Sequence, residues 1–297
     1  MSWLSFALLG YFFNAFATLI DKHLLSHRLP NAVIYAFYTG ILSAGVLVLA
    51  PFGFSLLPAR VIVLAFAAGI SFVVSFYFFY RTLSIWEASR VSPLVGIFST
   101  IGTLLLSQVF LGEQLTVHEI FAFIFLLGAG LILVLEEERG VMIRWDVVGG
   151  ALVAAFFLSV MFFLSKIVFL SSPFISGFIW IRLGSALGAL CLLLPGNTRK
   201  IILHSHAQVK NSSLSLVVLN KVIGGMGFVV INYAVSLGSA TLVNVLRASE
   251  YGFLFLLIML TSAMVPNFVH EKISFTIAMQ KVFGILLLGI GIGFLFM

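Results

Sequence analysis

The chain alternates apolar runs of about 17 to 25 residues with short polar breaks, and each run is long enough to cross a hydrocarbon core of about 30 Å as a helix. Ten such spans are predicted, roughly 3–20, 32–50, 61–80, 91–111, 119–135, 147–166, 174–194, 213–236, 240–261 and 276–296. The expected fold is all-α and polytopic, and an even number of spans puts both termini on one side of the membrane. The first run lacks a basic leader and a small-residue cleavage site, so it is read as a retained span.

The pattern repeats. Asp21 and Lys22 close span one ahead of Pro30, and Lys166 closes span six ahead of Pro173 at nearly the same spacing. YRTLSIWEASRVSPL, from Tyr80, lies over NYAVSLGSATLVNVL, from Asn232, with Ala88 on Ala240 and Ser89 on Thr241. Each segment leads into an apolar helix and then an acidic turn, LGEQLT at 111–116 and VHEKIS at 269–274. The halves are therefore about 1–138 and 146–297, joined by EEERGVMIRWD. Five spans per half is an odd number, so the second half must enter from the opposite side. This is the inverted-repeat arrangement of many secondary transporters.

The five-plus-five organisation, the run from Ala88 to Leu94 with Pro93 early in span four, the turn at 111–116 and its echo at Glu271 resemble the drug/metabolite transporter superfamily, specifically the EamA-type transporters. The second copy departs from the first at Val245, opposite Pro93, and at Val269-His270, opposite Leu111-Gly112. The resemblance implies alternating access through a cavity between the halves, in a multi-pass protein of the cell membrane. It does not imply one substrate.

Composition sharpens this picture. Hydrophobic residues make up 62% and charged residues 9% of the 297, far from the soluble norm of about 25% charged. The formal charge of +6 has no basic patch with interleaved aromatics behind it, so nucleic acid is not an expected partner. No nucleotide-binding or other cofactor motif is present, and neither a zinc-protease helix nor a nucleophile elbow occurs, so the reading is not an enzyme. Cys191 stands alone within an apolar run. Loop charges favour termini facing out by the positive-inside rule, whereas the resemblance implies cytoplasmic termini, and the direction of transport stays open.

Thr241–Thr261 carries the candidate chemistry, because Arg247 and Glu250 lie inside it. A charge at membrane depth costs about 2.5 to 3.5 kcal/mol on insertion scales unless it is partnered or hydrated. Three residues apart on a helix, the two share a face. Arg182 in span seven and Lys221 in span eight fall at comparable depth, about 10 to 15 Å from their nearer surfaces. Three cations against one acid leave positive charge for an anionic substrate group to neutralise, and Arg182, Lys221, Arg247 and Glu250 are expected to line one polar space. Asn232 and Asn244 add hydrogen-bonding groups to this substrate-binding set. Asn14 and Asn220 read as interhelical contacts. The structural alternative is mutual neutralisation in a membrane scaffold or lipid-binding protein without transport. Expected partners are a small-molecule substrate, the lipid bilayer, and a coupling ion or counter-substrate. The spacing of Gly289 and Gly293 would also allow a homodimer. The histidine-bearing segment around residues 195–212 reads as amphipathic and lying on the membrane.

Overall fold

A computed structural model of the chain describes residues 2–25, 32–84, 88–134, 145–205, 211–264 and 275–297. The echo turn at 269–274 and residues 136–144 of the linker lie outside them. Among the described residues regular structure is helical. The helices are α1 (Ser2–Leu25), α2 (Ala32–Ile41), a 3-10 segment (Leu42–Phe52), α3 (Ala59–Leu83), α4 (Ala88–Leu111), α5 (Val117–Val134) and α6 (Trp145–Leu170). There follow α7 (Phe174–Cys191), α8 (Gly196–Ser205), α9 (Asn211–Leu237), α10 (Ala240–Val245), α11 (Ala248–Met264) and α12 (Phe275–Phe294). Eight stretches are long and apolar enough to cross a membrane, and shorter apolar helices cover Val117–Leu133 and Met279–Phe294.

Local chemistry sets the helix ends. Pro58 and Pro173 hold extended backbone just before α3 and α7, where a missing N–H costs nothing. Gly112, at φ 63°, supplies the left-handed turn after α4. Thr116 and Glu119 form a capping box on α5: the Thr116 N–H donates to Glu119 Oε2 at 2.8 Å and the Glu119 N–H to Thr116 Oγ1 at 3.3 Å.

Glycines set the closest helix contacts. A Cβ on Gly69 of α3 would lie 2.1 Å from the Ile181 carbonyl oxygen, and one on Gly184 of α7 would lie 2.6 Å from Phe66 Cα. Backbone against backbone is possible there only without side chains, as the small-residue spacing of Gly184 and Gly188 predicts. Gly289 and Gly293 of α12 face open space instead. The outer surface exposes large apolar side chains such as Val48, Val109, Leu260 and Leu286, which suits contact with lipid. The FYFFY run at 76–80, which from sequence reads as a lipid-facing or interfacial belt with substrate stacking as the alternative, packs partly inward: Tyr80 is buried and meets the Tyr35 ring at 5.0 Å. Helix α8 presents exposed Arg199 and Lys200 and buries Ile202 against Val33, Phe37 and Ala189. That is the amphipathic distribution expected of its sequence.

Span nine is not one helix. Around Leu246 and Arg247 the backbone tightens, with the Arg247 N–H bonding to Asn244 O at 3.1 Å, Ser249 to Leu246 O and Glu250 to Arg247 O, both at 2.9 Å. These are i to i−3 bonds where an α-helix would use i−4, and short 3-10 stretches inside helices mark hinges and functional sites.

Candidate functional site

The break in span nine puts Arg247 at its turn and Glu250 in the first turn of α11. Helix α1 packs alongside and supplies Tyr11, Asn14 and Thr18, whose spacing of three and then four residues sets them on one face. Thr18 Oγ1 donates to Glu250 Oε1 at 3.2 Å, and Asn14 lies on the same face of α1 near Glu250. Arg247 is close enough to act electrostatically on both Glu250 and the Tyr11 hydroxyl. Its guanidinium carbon lies 5.7 Å from the Phe162 ring centre. Its Nε is buried and makes no hydrogen bond among the described residues.

Tyr11 is fully buried and donates to the Val243 carbonyl at 2.8 Å. In a regular helix that carbonyl would accept from the Arg247 N–H, which here turns to Asn244 O instead. The tyrosine thus satisfies an acceptor that the break would otherwise leave unmet in a medium that offers no water. A cavity of about 20 Å³, about the space of one water, lies beside the break and is lined by residues that include Gly96, Thr100, Val245, Arg247 and Tyr251.

The other expected site residues are distributed around this centre. Arg182, 6% exposed, sits among three rings with its guanidinium carbon 3.7 Å from the Phe228 centroid, 4.7 Å from Phe72 and 5.2 Å from Phe178. Such stacking suits the weakly hydrated guanidinium. Its Nη2 is buried without a hydrogen-bond partner among the described residues. Lys221 rests over the Tyr35 ring at 4.7 Å. Asn244 donates to Thr103 Oγ1 at 3.0 Å and Asn232 to Phe228 O at 2.9 Å, and each keeps a buried amide oxygen without a partner among the described residues. The structure therefore brings Arg247 and Glu250 together, with Asn244 at the same break. Arg182 and Asn232 lie around Phe228, and Lys221 lies against α2.

Tyr11, Thr18 and Tyr251 were missed in the sequence, although a polar face running along the apolar α1 could have revealed the first two. Lys281 of α12, 9% exposed and 5.0 Å from the Phe255 ring, was missed as well. Among the described residues no three His, Cys, Asp or Glu side chains converge as metal ligands.

On the face where Trp3 packs against Gly238, a larger cavity of about 330 Å³ is lined by Leu111, Glu113, Lys166, Leu170, Gly238 and Ser239. Lys166 Nζ donates to Val235 O at 3.1 Å and to Gly238 O at 2.6 Å, meeting the carbonyl end of α9 with a cation. Thr241 Oγ1 donates to Glu113 Oε2 at 3.2 Å.

No curated protein matches the chain. A crystal structure of a protein, 18% identical in sequence, superposes with a TM-score of 0.66 over 95% of this chain and 92% of its own, so the two share a fold. The model of the EamA-like transporter family matches residues 1–135. Over those residues the chain is similar to the EamA-like transporter family.

Proposed function

We propose that the chain is a secondary transporter in the cell membrane that moves a small polar, anionic metabolite by alternating access between two inverted repeats, residues 1–138 and 146–297. The two shorter apolar helices then complete ten spans. The observation that carries this reading is the Arg247–Glu250 centre: a cation and an acid from the second half, set at a helix break, with Glu250 bonded to Thr18 and both facing Tyr11 and Asn14 of the first half. Broken helices at mid-membrane are where transporters place their ligands, because a break exposes polar backbone to the cavity. Arg247 offers a buried Nε to an incoming carboxylate or phosphate, and Arg182 offers a second unsatisfied donor deeper among aromatic rings. A gradient or exchange supplies the energy.

One observation favours the alternative of a scaffold or lipid-binding protein: only about 20 Å³ of open space lines Arg247, and Arg182 already has its rings. Purified protein in proteoliposomes, offered a library of small anionic, neutral and cationic metabolites, separates the two readings. Saturable uptake of an anion that is lost in Arg247→Ala supports the transporter, and no uptake of any compound supports the scaffold.

A further inference from the structure

Helix α10 occupies a particular position. Ser239, at its start, lines the 330 Å³ cavity on the N-terminal face, and Val245, at its end, lines the small cavity beside Arg247. Six residues at about 1.5 Å each put about 9 Å of helix between the two. All six are buried, and the element is bounded by Gly238 on one side and by the 3-10 turn at Leu246–Arg247 on the other.

The tethers of α10 lead almost entirely to the other half of the chain. Thr241 bonds Glu113 in the α4–α5 turn, Val243 O accepts from Tyr11 of α1, and Asn244 bonds Thr103 of α4. Among the described residues the local side-chain one is Ser239, whose hydroxyl accepts the Leu242 N–H at 3.0 Å. A segment of the second half is thus held shut by three side-chain bonds to the first half, with a pliable joint at each end.

We infer that α10 is the gate on the N-terminal face, a plug that swings on Gly238 and on the Leu246–Arg247 turn, and that Tyr11 ties its release to the state of Arg247. The Tyr11 hydroxyl lies within electrostatic reach of Arg247 and donates to Val243 O, so a ligand that draws the guanidinium away also changes the field on the hydroxyl that holds α10. This inference rests on the transporter reading for its purpose, though not for its test.

The test reads accessibility and needs no substrate. Cys191, the one cysteine, is changed to Ala, and Val243→Cys is introduced as a reporter inside α10. Reaction with a membrane-impermeant maleimide is timed from each side of proteoliposomes of known orientation. With all tethers intact the reporter reacts slowly. Adding Tyr11→Phe, which keeps the ring and removes the bond to Val243 O, is expected to raise the rate at least tenfold from the N-terminal face and to leave the opposite face unchanged. Thr103→Val, which removes the partner of Asn244 at a distance from Glu250, is expected to act the same way and guards against a folding defect peculiar to Tyr11. Unchanged rates in both variants, or an equal rise from both sides, would overturn the gate. Loss of metabolite uptake with the labelling pattern intact would instead count against the proposed function alone.

Discussion

Helix α4 and the α10–α11 segment align in sequence and behave oppositely. The first carries Pro93, Val95 and Phe98 where the second carries Val245, Arg247 and Glu250. Yet α4 runs unbroken from Ala88 to Leu111, proline included, while its proline-free counterpart breaks. Proline falls in the second turn of α4, where it removes one i to i−4 hydrogen bond without ending the helix. The break in the second copy has no Pro or Gly to cause it. It is held by side chains: Tyr11 takes the freed carbonyl, Ser249 Oγ bonds Leu246 O at 2.6 Å, and Glu250 is tied to α1. Kinks need an identifiable cause, and here the cause is polar side chains that compete for the backbone ladder.

The comparison can be broken at several points. Arg247→Ala should have the largest effect, because it leaves Glu250 buried without its cation. A loss of about 3 to 5 kcal/mol in unfolding free energy is expected. Val95→Ala at the aligned position of α4 should cost about 1 kcal/mol. Denaturation in detergent micelles compares the two, and equal losses would mean that the charges at the break carry no special weight.

Glu250→Gln asks what the acid does. If Glu250 holds Arg247 and the α1 contacts in place, gradient-driven uptake and substrate exchange should fall together, by about tenfold or more for the loss of a charged hydrogen bond. Preserved exchange alongside lost pH-driven uptake would make Glu250 the carrier of a coupling proton instead.

Gly96→Ala tests how tightly the unbroken helix presses on the broken one. A Cβ there would lie 2.9 Å from the Tyr251 hydroxyl and 3.5 Å from Arg247 Cδ. Overpacking of this kind costs about 1 to 3 kcal/mol. Gly289→Ala, with nothing within 4 Å, should be neutral or slightly stabilising on the same assay. Among the destabilising changes the smallest is expected from Asn244→Ala, about 0.5 to 1.5 kcal/mol for one neutral hydrogen bond to Thr103. A thermal melt resolves it if the value is near the upper end.

The helices were legible in the sequence because burial in lipid demands long uninterrupted apolar runs: all ten predicted stretches coincide with helix to within a few residues, and eight stretches are long and apolar enough to cross a membrane. The break in span nine was not legible. No residue in TLVNVLRASE is a helix breaker, and the bond that stabilises the break comes from Tyr11, more than 200 positions away. Arg247 and Glu250 were visible as a pair because i, i+3 spacing is local information. The placement of Arg182 was not, since its rings come from three different helices and hydropathy carries no bearing on which helices are neighbours. Lys281 escaped notice because the apolar run around it is strong enough to mask one cation.

That lysine has a consequence for how the protein enters the bilayer during synthesis. If α12 crosses the bilayer, as the transporter reading has it, its apolar stretch, Met279–Phe294, would carry an ammonium group into hydrocarbon at about 2.5 to 3.5 kcal/mol on its own. The ring of Phe255 that receives Lys281 belongs to α11, the helix made just before. On that reading, inserting α11 and α12 together as a hairpin would give the cation its ring from the start.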